Sequence, residues 1–171
     1  MAVITWDGSS EDGSWGNGGN WDLDRAPAAG DDVVIASVSA PQLPPVIADS
    51  TDPTINSLEI ESGGNLTAGD NDITIGGEVG GKCLKFNGSG VFTAGTSTII
   101  ITTADDSILD CDPAAGSFNN LTFNASSQTF TLEKNLTIGG NLTITAGELD
   151  TVNSGGTDWT LTVTGKTIIG P

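Results

Sequence analysis

Two pairs of adjacent aspartates, Asp31-Asp32 and Asp105-Asp106, are the residues whose type and spacing could carry out catalysis. Glycoside hydrolysis needs two carboxyl groups at a defined distance across a bound sugar, and one of them needs a raised pKa. Neighbouring residues on a strand point to opposite faces, and both pairs lie in acidic segments typical of solvated turns. The chain has no His or Tyr and a single Arg to support such a pair. The sequence therefore predicts no enzymatic activity and no catalytic residues.

Aspartates also crowd two turns in numbers that suit a calcium ion. Calcium takes roughly six to eight oxygen ligands, which turn carboxylates and backbone carbonyls can supply. No segment matches an EF-hand loop or a calcium-binding glycine-aspartate repeat. Asp is also favoured in turns for conformational reasons alone. Bound calcium is therefore one of two readings, and its candidate ligands are Asp7, Asp12, Asp22 and Asp24 in the first turn and Asp70 and Asp72 in the second.

The two cysteines, Cys83 and Cys111, both lie in alternating apolar and polar segments. The interval between them is close to one long coil of a repeat structure, so the two thiols could face each other on neighbouring coils. A disulfide would fit an exported protein. The alternative is a pair of free thiols in the core, since spacing cannot show that the two Cβ vectors converge.

The elements that must position these residues are short strands, which are clearest in the segment 118–147. Apolar residues alternate there with threonine, and glycine and asparagine separate the runs. Alternation at period two predicts strands with one buried and one solvated face. Strands this short do not fold alone, so we expect many of them to stack around a common core. The inward residues are predicted to be Leu121, Phe123, Leu136, Ile138, Leu142 and Ile144.

The chain repeats itself at two intervals. The long interval relates residues 118–142 to residues 55–79 without a gap. The short interval separates the first two copies of the triplet Thr-Ala-Gly, at 67–69 and 93–95, and the third copy at 145–147 follows after twice that interval. Such periods indicate a repeat architecture, in which the long interval would be three coils of roughly 21 residues and the short one a single coil of roughly 26 residues. We predict an all-β fold, a right-handed parallel β-helix (β-solenoid), with a β-sandwich or jelly roll as the alternative.

Residues 1–32 differ from the rest of the chain, because one strand-like run is followed by a loop rich in glycine and aspartate. Trp6, Trp15 and Trp21 belong to this segment. Their rings could form a platform that stacks on sugars, or a hydrophobic cap over the first coil. The end of a solenoid exposes apolar side chains and unpaired strand edges, which favours the cap. We therefore expect a cap at 1–32 and one continuous domain of coils at 33–171.

The formal net charge is −17, from 22 acidic and five basic residues. Such a surface repels nucleic acid and anionic membranes, and it suits secretion, high salt or cation binding. No segment approaches the roughly 20 apolar residues of a membrane span, and no signal peptide is visible. The chain ends just after the strand-like run 167–169, so we expect a mature form or a fragment that continues beyond residue 171.

A tryptophan and glycine pattern opens the chain and strand-like runs follow it: Trp6, Gly8, Trp15, Asn20-Trp21, Pro27 and the run 30–35, then the runs 120–122 and 138–142. In this pattern the chain resembles repetitive bacterial and viral surface proteins, in particular the passenger or stalk region of autotransporter-like and adhesin-like right-handed β-helix proteins. The resemblance implies an extracellular structural module, a rigid rod, stalk or filament subunit with an adhesive role. The alternative is a carbohydrate-binding or carbohydrate-processing β-helix. The expected partners are a second copy bound end to end, further domains of the same protein, or surface glycans.

Overall fold

The computed structural model describes residues 1–48, 52–111 and 118–170, and their regular structure is almost entirely β. One short 3-10 turn, Gly18–Asn20, interrupts the strands. No helix in these ranges is long and apolar enough to cross a bilayer. In chain order the strands are β1 (Val3–Thr5), β2 (Asp32–Ile35), β3 (Thr54–Ile55), β4 (Ser57–Ile60), β5 (Asn65–Thr67), β6 (Ile73–Ile75), β7 (Lys82–Phe86), β8 (Val91–Thr93), β9 (Thr98–Ile101), β10 (Ser107–Cys111), β11 (Asn120–Leu132), β12 (Leu136–Ile138), β13 (Leu142–Asp150), β14 (Leu161–Val163) and β15 (Thr167–Ile169).

The strands stack in three columns, named faces A, B and C in the order in which the chain visits them. Face A contains β1, β2, β4, β7, β10 and the second halves of β11 and β13. Face B contains the pairs β5–β8 and β12–β14. Face C contains β3, β6, β9, the first halves of β11 and β13, and β15. Each turn of the chain thus crosses three faces before it stacks on the previous turn.

The predicted all-β solenoid is confirmed, and the β-sandwich alternative is wrong. Every pairing between named strands in the described residues is parallel. A sandwich or jelly roll is built from antiparallel sheets, because tight hairpins join its neighbouring strands. Here each strand meets the strand one turn later, as expected for stacked coils.

The short interval between the first two Thr-Ala-Gly triplets is confirmed as one coil, because Thr67 pairs with Thr93 in β5–β8. The long interval is wrong as a multiple of the coil period. It relates Leu58 on face A to Leu121 on face C, whereas the neighbour of Leu58 in its own column is Leu84. The long interval therefore spans two coils and two further faces. It matched because the strands of all three faces share the same apolar alternation.

One hydrophobic cluster fills the interior from the first strand to β13. Five of the six predicted inward residues are buried, and Ile144 is partly buried against the cluster. Aromatic rings pack inside, with the centroids of Phe123 and Phe130 4.6 Å apart. Burying a side chain of this size contributes about 1.5–3 kcal/mol, so the core supplies most of the stabilising free energy.

Strand β11 joins two faces. Its residues 120–123 pair with β9 on face C, and its residues 130–132 pair with β10 on face A. Ser127, with φ of 67°, lies at the bend between the two halves. Because β11 has no loop at this corner, the strands of faces A and C belong to one continuous sheet of 11 strands.

Candidate functional site

The three tryptophans of the N-terminal segment form a cap. Trp6 and Trp15 each meet the ring of Trp21 edge to face, with centroids 4.9 Å apart in both pairs. Their exposed fractions are 1%, 5% and 1% for Trp6, Trp15 and Trp21. The indole N–H of Trp21 donates to the Trp15 carbonyl at 2.9 Å, and that of Trp6 to the Leu43 carbonyl at 3.0 Å. Trp6 and Trp21 are therefore enclosed, and Trp15 presents only a small part of its surface, to the cleft that it lines.

Asp12 holds the cap loop together. Its carboxylate accepts hydrogen bonds from the Ser14 N–H at 2.9 Å and from the amides of Asn17 and Asn20 at 2.7 and 2.6 Å. The bond from the Ser14 N–H, followed by those of the two amides, lowers the pKa of Asp12. Asn20 is itself buried, and its amide also donates a hydrogen bond to the Ser14 carbonyl. The carboxylate is thus a structural acceptor for its own loop.

Asp22 bonds to Thr5, the last residue of the first strand, at its outer edge. The Thr5 N–H donates to the Asp22 carboxylate at 2.9 Å, and the Asp22 N–H donates to the Thr5 carbonyl at 3.0 Å. Trp6 and Trp21 form an antiparallel bridge beside this pair. An exposed strand edge is a template for pairing with another chain. Asp22 thus engages the outward N–H and C=O of Thr5, at one end of this edge.

The other candidate calcium ligands are spread out. Asp7 accepts the Ser9 N–H at 2.8 Å, and Asp72 accepts the Thr98 N–H of the next coil at 2.7 Å. Asp24 sits in an exposed turn, and Asp70 lies beside the Asn71 amide. No group of three or more acidic or cysteine side chains converges in the part of the chain that the structure describes. Calcium binding stays a prediction, which melting with and without EDTA decides, because a bound ion raises the melting temperature.

The adjacent aspartates serve two separate structural roles. The Arg25 guanidinium donates hydrogen bonds to both carboxylate oxygens of Asp31, at 2.5 and 2.9 Å. Asp32 instead accepts hydrogen bonds from the Asn56 amide at 2.6 Å and from the Ser57 hydroxyl at 2.8 Å. In the second pair, Asp106 accepts the Thr129 N–H at 2.7 Å, which ties two coils together. Each of these three carboxylates is thus engaged by neighbouring groups of its own fold.

Removing the Asp31 carboxylate is expected to change how stability depends on pH. The hydrogen bonds from Arg25 lower the pKa of Asp31 from 3.8 to about 2. A lowered folded-state pKa contributes stability above the unfolded value of 3.8, and this is lost as pH falls through 2. The contribution is about 1–2 kcal/mol, discounted because 43% of the Arg25 side chain is exposed.

Urea unfolding of wild type and Asp31→Asn at several pH values between 2 and 5 measures this contribution. The variant should lose stability at pH 5 and show a smaller fall between pH 4 and pH 2. Asp7→Asn is the matched control, because the contact of Asp7 is with a backbone N–H rather than a basic side chain. Equal slopes for wild type and Asp31→Asn would contradict the assignment of the ion pair.

Cys83 and Cys111 are both free and buried. Cys111 pairs in register with Phe86, three residues along β7 from Cys83. Three residues advance a strand by about 10 Å, which exceeds the roughly 7 Å between Cα atoms that a disulfide spans. The sequence left open a disulfide or two free thiols in the core, and the structure contains the two free thiols.

Native protein is expected to resist thiol reagents. Burial raises the pKa of Cys83 to about 11 and that of Cys111 well above its usual range. Only the thiolate reacts, so a buried thiol with a raised pKa is inert. Titration with a chromogenic disulfide at pH 8 should detect no reactive thiol in folded protein and two per chain in 6 M guanidinium. Rapid reaction without denaturant would contradict the packing of β7 against β10.

Sequence reasoning missed the buried asparagines that link successive coils. The Asn56 amide also donates to the Glu78 carbonyl at 3.1 Å, and the Asn71 amide donates to the Ile47 carbonyl at 2.5 Å. Both side chains are buried at corners, where they satisfy carbonyls that no strand partner reaches. Their positions in the sequence could have indicated this role, because Asn56 comes immediately before the strand β4 and Asn71 comes two residues before β6.

Neither the protein-family models, nor the curated proteins, nor the solved structures contain a match to this chain.

Proposed function

We propose that the protein is an extracellular structural module, a rigid spacer segment of a cell or virion surface. The observation that carries this proposal is the use of its carboxylates. The carboxylates that were candidate metal ligands or candidate catalytic groups bond instead to loops, to a strand edge or to neighbouring coils. Asp12, Asp22, Asp72 and Asp106 are examples. A chain whose polar groups serve its own coils is better suited to hold a shape than to process a ligand.

Ion pairs across coils support this role. On the outer side of face A, the Lys85 ammonium lies 2.6 Å from the Glu59 carboxylate. Lys82 bridges Asp110 at 2.6 Å and Glu133 at 3.0 Å, and so connects three successive coils. Single exposed pairs contribute about 0–1 kcal/mol each. Their arrangement along the axis adds resistance to the separation of coils.

The dimensions limit what one chain can do as a spacer. About six turns stacked at roughly 4.8 Å per strand give an axial length of about 29 Å. A single chain is therefore a short block. A stalk or filament of useful reach requires more coils or more copies, which is why end-to-end association belongs to this proposal.

A distance measurement between the two ends tests rigidity. Spin labels on Ser9→Cys and Ser154→Cys use exposed positions near opposite ends, and the native thiols are buried from the reagent. Pulsed electron resonance should give one narrow distance distribution. A pair of labels within one corner, on Ser154→Cys and Thr157→Cys, is the control for label mobility. A broad or bimodal distribution between the ends would contradict a rigid spacer.

The competing proposal is carbohydrate binding. One apolar cleft of about 290 Å³ lies between residues 26–29 of the cap and the corner that includes Pro53. Its carboxylate, Asp52, already accepts the Asp72 N–H at 2.9 Å. Of the three cap tryptophans only Trp15 lines this cleft, and it is 5% exposed, so the cleft does not present the platform of three rings that would favour this class. A glycan array tests it together with adhesion, and specific binding to one glycan class would favour an adhesive module over a plain spacer.

A further inference from the structure

Face C carries a row of outward side chains that runs from coil to coil. Its parallel ladders place Thr54, Thr74, Ile100, Thr122 and Thr143 side by side in register. These residues alternate with buried core residues, and each of them is exposed or half-buried. We name them the threonine row. Neighbouring members lie about 4.8 Å apart, so the row spans about 19 Å along the solenoid axis.

The threonine row is rigid for two reasons. The strands of Thr74, Ile100 and Thr122 are each paired on both sides, so the backbone beneath the centre of the row is fixed. The two heavy atoms on Cβ of threonine and isoleucine also restrict rotation about χ1. Methyl and hydroxyl groups are therefore presented at fixed and repeated positions. A surface that is ordered in advance loses little conformational entropy when it binds.

The threonine row is uncharged, although the chain is strongly acidic. The outer side of face A, in contrast, carries ion pairs of Lys82 and Lys85. Beside the row, Asp52 and Asp72 each accept a backbone N–H of the next coil, at 2.9 and 2.7 Å. The positions two residues after the row are uncharged, and they are Asn56, Gly76, Thr102, Asn124 and Thr145. This face therefore suits a flat partner without net charge, which an acidic protein does not repel.

The residue types of face C select among flat partners. A second copy carries the same net charge of −17 and is repelled. Flat surfaces of crystalline polysaccharide offer sugar rings for aromatic stacking, but the one aromatic residue on the paired strands of face C, Phe123, is fully buried. Ice is neutral, and the water molecules in its flat planes repeat at a distance close to the spacing between coils. The row therefore fits ice better than it fits a sugar surface or a second copy.

We propose that the threonine row binds ice. The methyl groups hold a layer of ordered water, as apolar groups do, and the hydroxyl groups hydrogen-bond within that layer. Because the spacing of the row is close to that of the crystal, the ordered layer joins the lattice and fixes the protein to the ice surface. Bound protein then hinders growth of the crystal. This activity goes beyond the proposed spacer and does not depend on it.

Thermal hysteresis, the gap between the melting and freezing points of a single ice crystal, tests the proposal. We expect wild type to produce hysteresis and to give the crystal flat facets. Thr122→Lys should lose both effects, because a hydrated charge at the centre of the row disrupts the ordered water. Thr137→Lys is the matched control, since Thr137 is an exposed strand threonine on face B. This control should retain both effects.

Three outcomes would overturn ice binding by this row. They are a wild type without hysteresis, an equal result for the two variants, and binding of wild type to crystalline cellulose or chitin instead of ice. Circular dichroism checks that Thr122→Lys is folded, and Thr74→Lys provides a second disruption in the same row. The spin-label distance is measured without ice, so a failure of the rigid spacer and a failure of ice binding are distinguishable.

Discussion

Replacing Trp21 by alanine is expected to lower the free energy of unfolding by about 3–5 kcal/mol, which is the usual cost of removing a buried large aromatic side chain. Trp21 is the centre of the cap, since both Trp6 and Trp15 meet its ring. The cavity would adjoin the first coil, and the Trp15 carbonyl would lose its indole donor. Urea unfolding followed by tryptophan fluorescence and by circular dichroism measures the change.

Trp21→Phe is the control for this experiment. It keeps an aromatic ring in the cap and removes the indole hydrogen bond and part of the volume, so a smaller loss is expected. Trp159→Ala provides a second comparison, because Trp159 is only partly buried near the open end. If Trp21→Ala and Trp159→Ala cost the same, the cap would not have the central role that its burial indicates.

Replacing Gly95 by alanine is expected to cost at least about 3 kcal/mol, from a backbone cost and a steric clash. Gly95 has φ of 60°, a left-handed conformation that costs other residues about 1–2 kcal/mol. A Cβ there would also lie 2.0 Å from the Gly69 carbonyl oxygen of the previous coil. The Thr96 N–H bonds to that same oxygen at 2.8 Å, so relief of the clash would break a link between coils.

Gly80→Ala separates the two causes. Gly80 has φ of 59°, and a Cβ added there meets nothing within 4 Å. This variant should therefore show only the conformational cost, about 1 kcal/mol, because alanine also reduces the entropy of the unfolded chain. The difference in unfolding free energy between the two variants measures the close stacking of residues 69 and 95. Equal losses would mean that the coils move apart easily at this corner.

The fold could be predicted from the sequence because its signal is local. Alternation in runs such as 136–138 and 142–144 sets the strands, and the recurrence of Thr67 as Thr93 sets the length of one coil. The long interval, from residues 55–79 to 118–142, gave a wrong coil length because the apolar alternation is common to all three faces. A pattern of period two shows which side chains point inward, but it does not show to which face a strand belongs.

The roles of the polar residues could not be predicted in the same way, because they depend on contacts between distant positions. The sequence grouped Asp12 with Asp22 as ligands of one ion, yet one holds a loop and the other bonds to the edge of β1. For Cys83 and Cys111, the spacing along the chain suggested neighbouring coils correctly. The cysteines are 28 residues apart, whereas Leu84 and Leu109 pair at an interval of 25, so Cys111 lies three residues beyond the position opposite Cys83.

The corners of the coils give the fold a way to change length. On face A, Leu58 pairs with Leu84, whereas further along the axis Phe130 pairs with Leu149, so the later coil is built from a shorter stretch of chain. The strands remain paired in both coils, and the difference in the number of residues lies in the corners. Insertions and deletions at corners therefore leave the core intact, and such a chain can diverge in length faster than in shape. The exposed corner at 152–158 is accordingly the place at which a foreign loop could be grafted with the least cost to the fold.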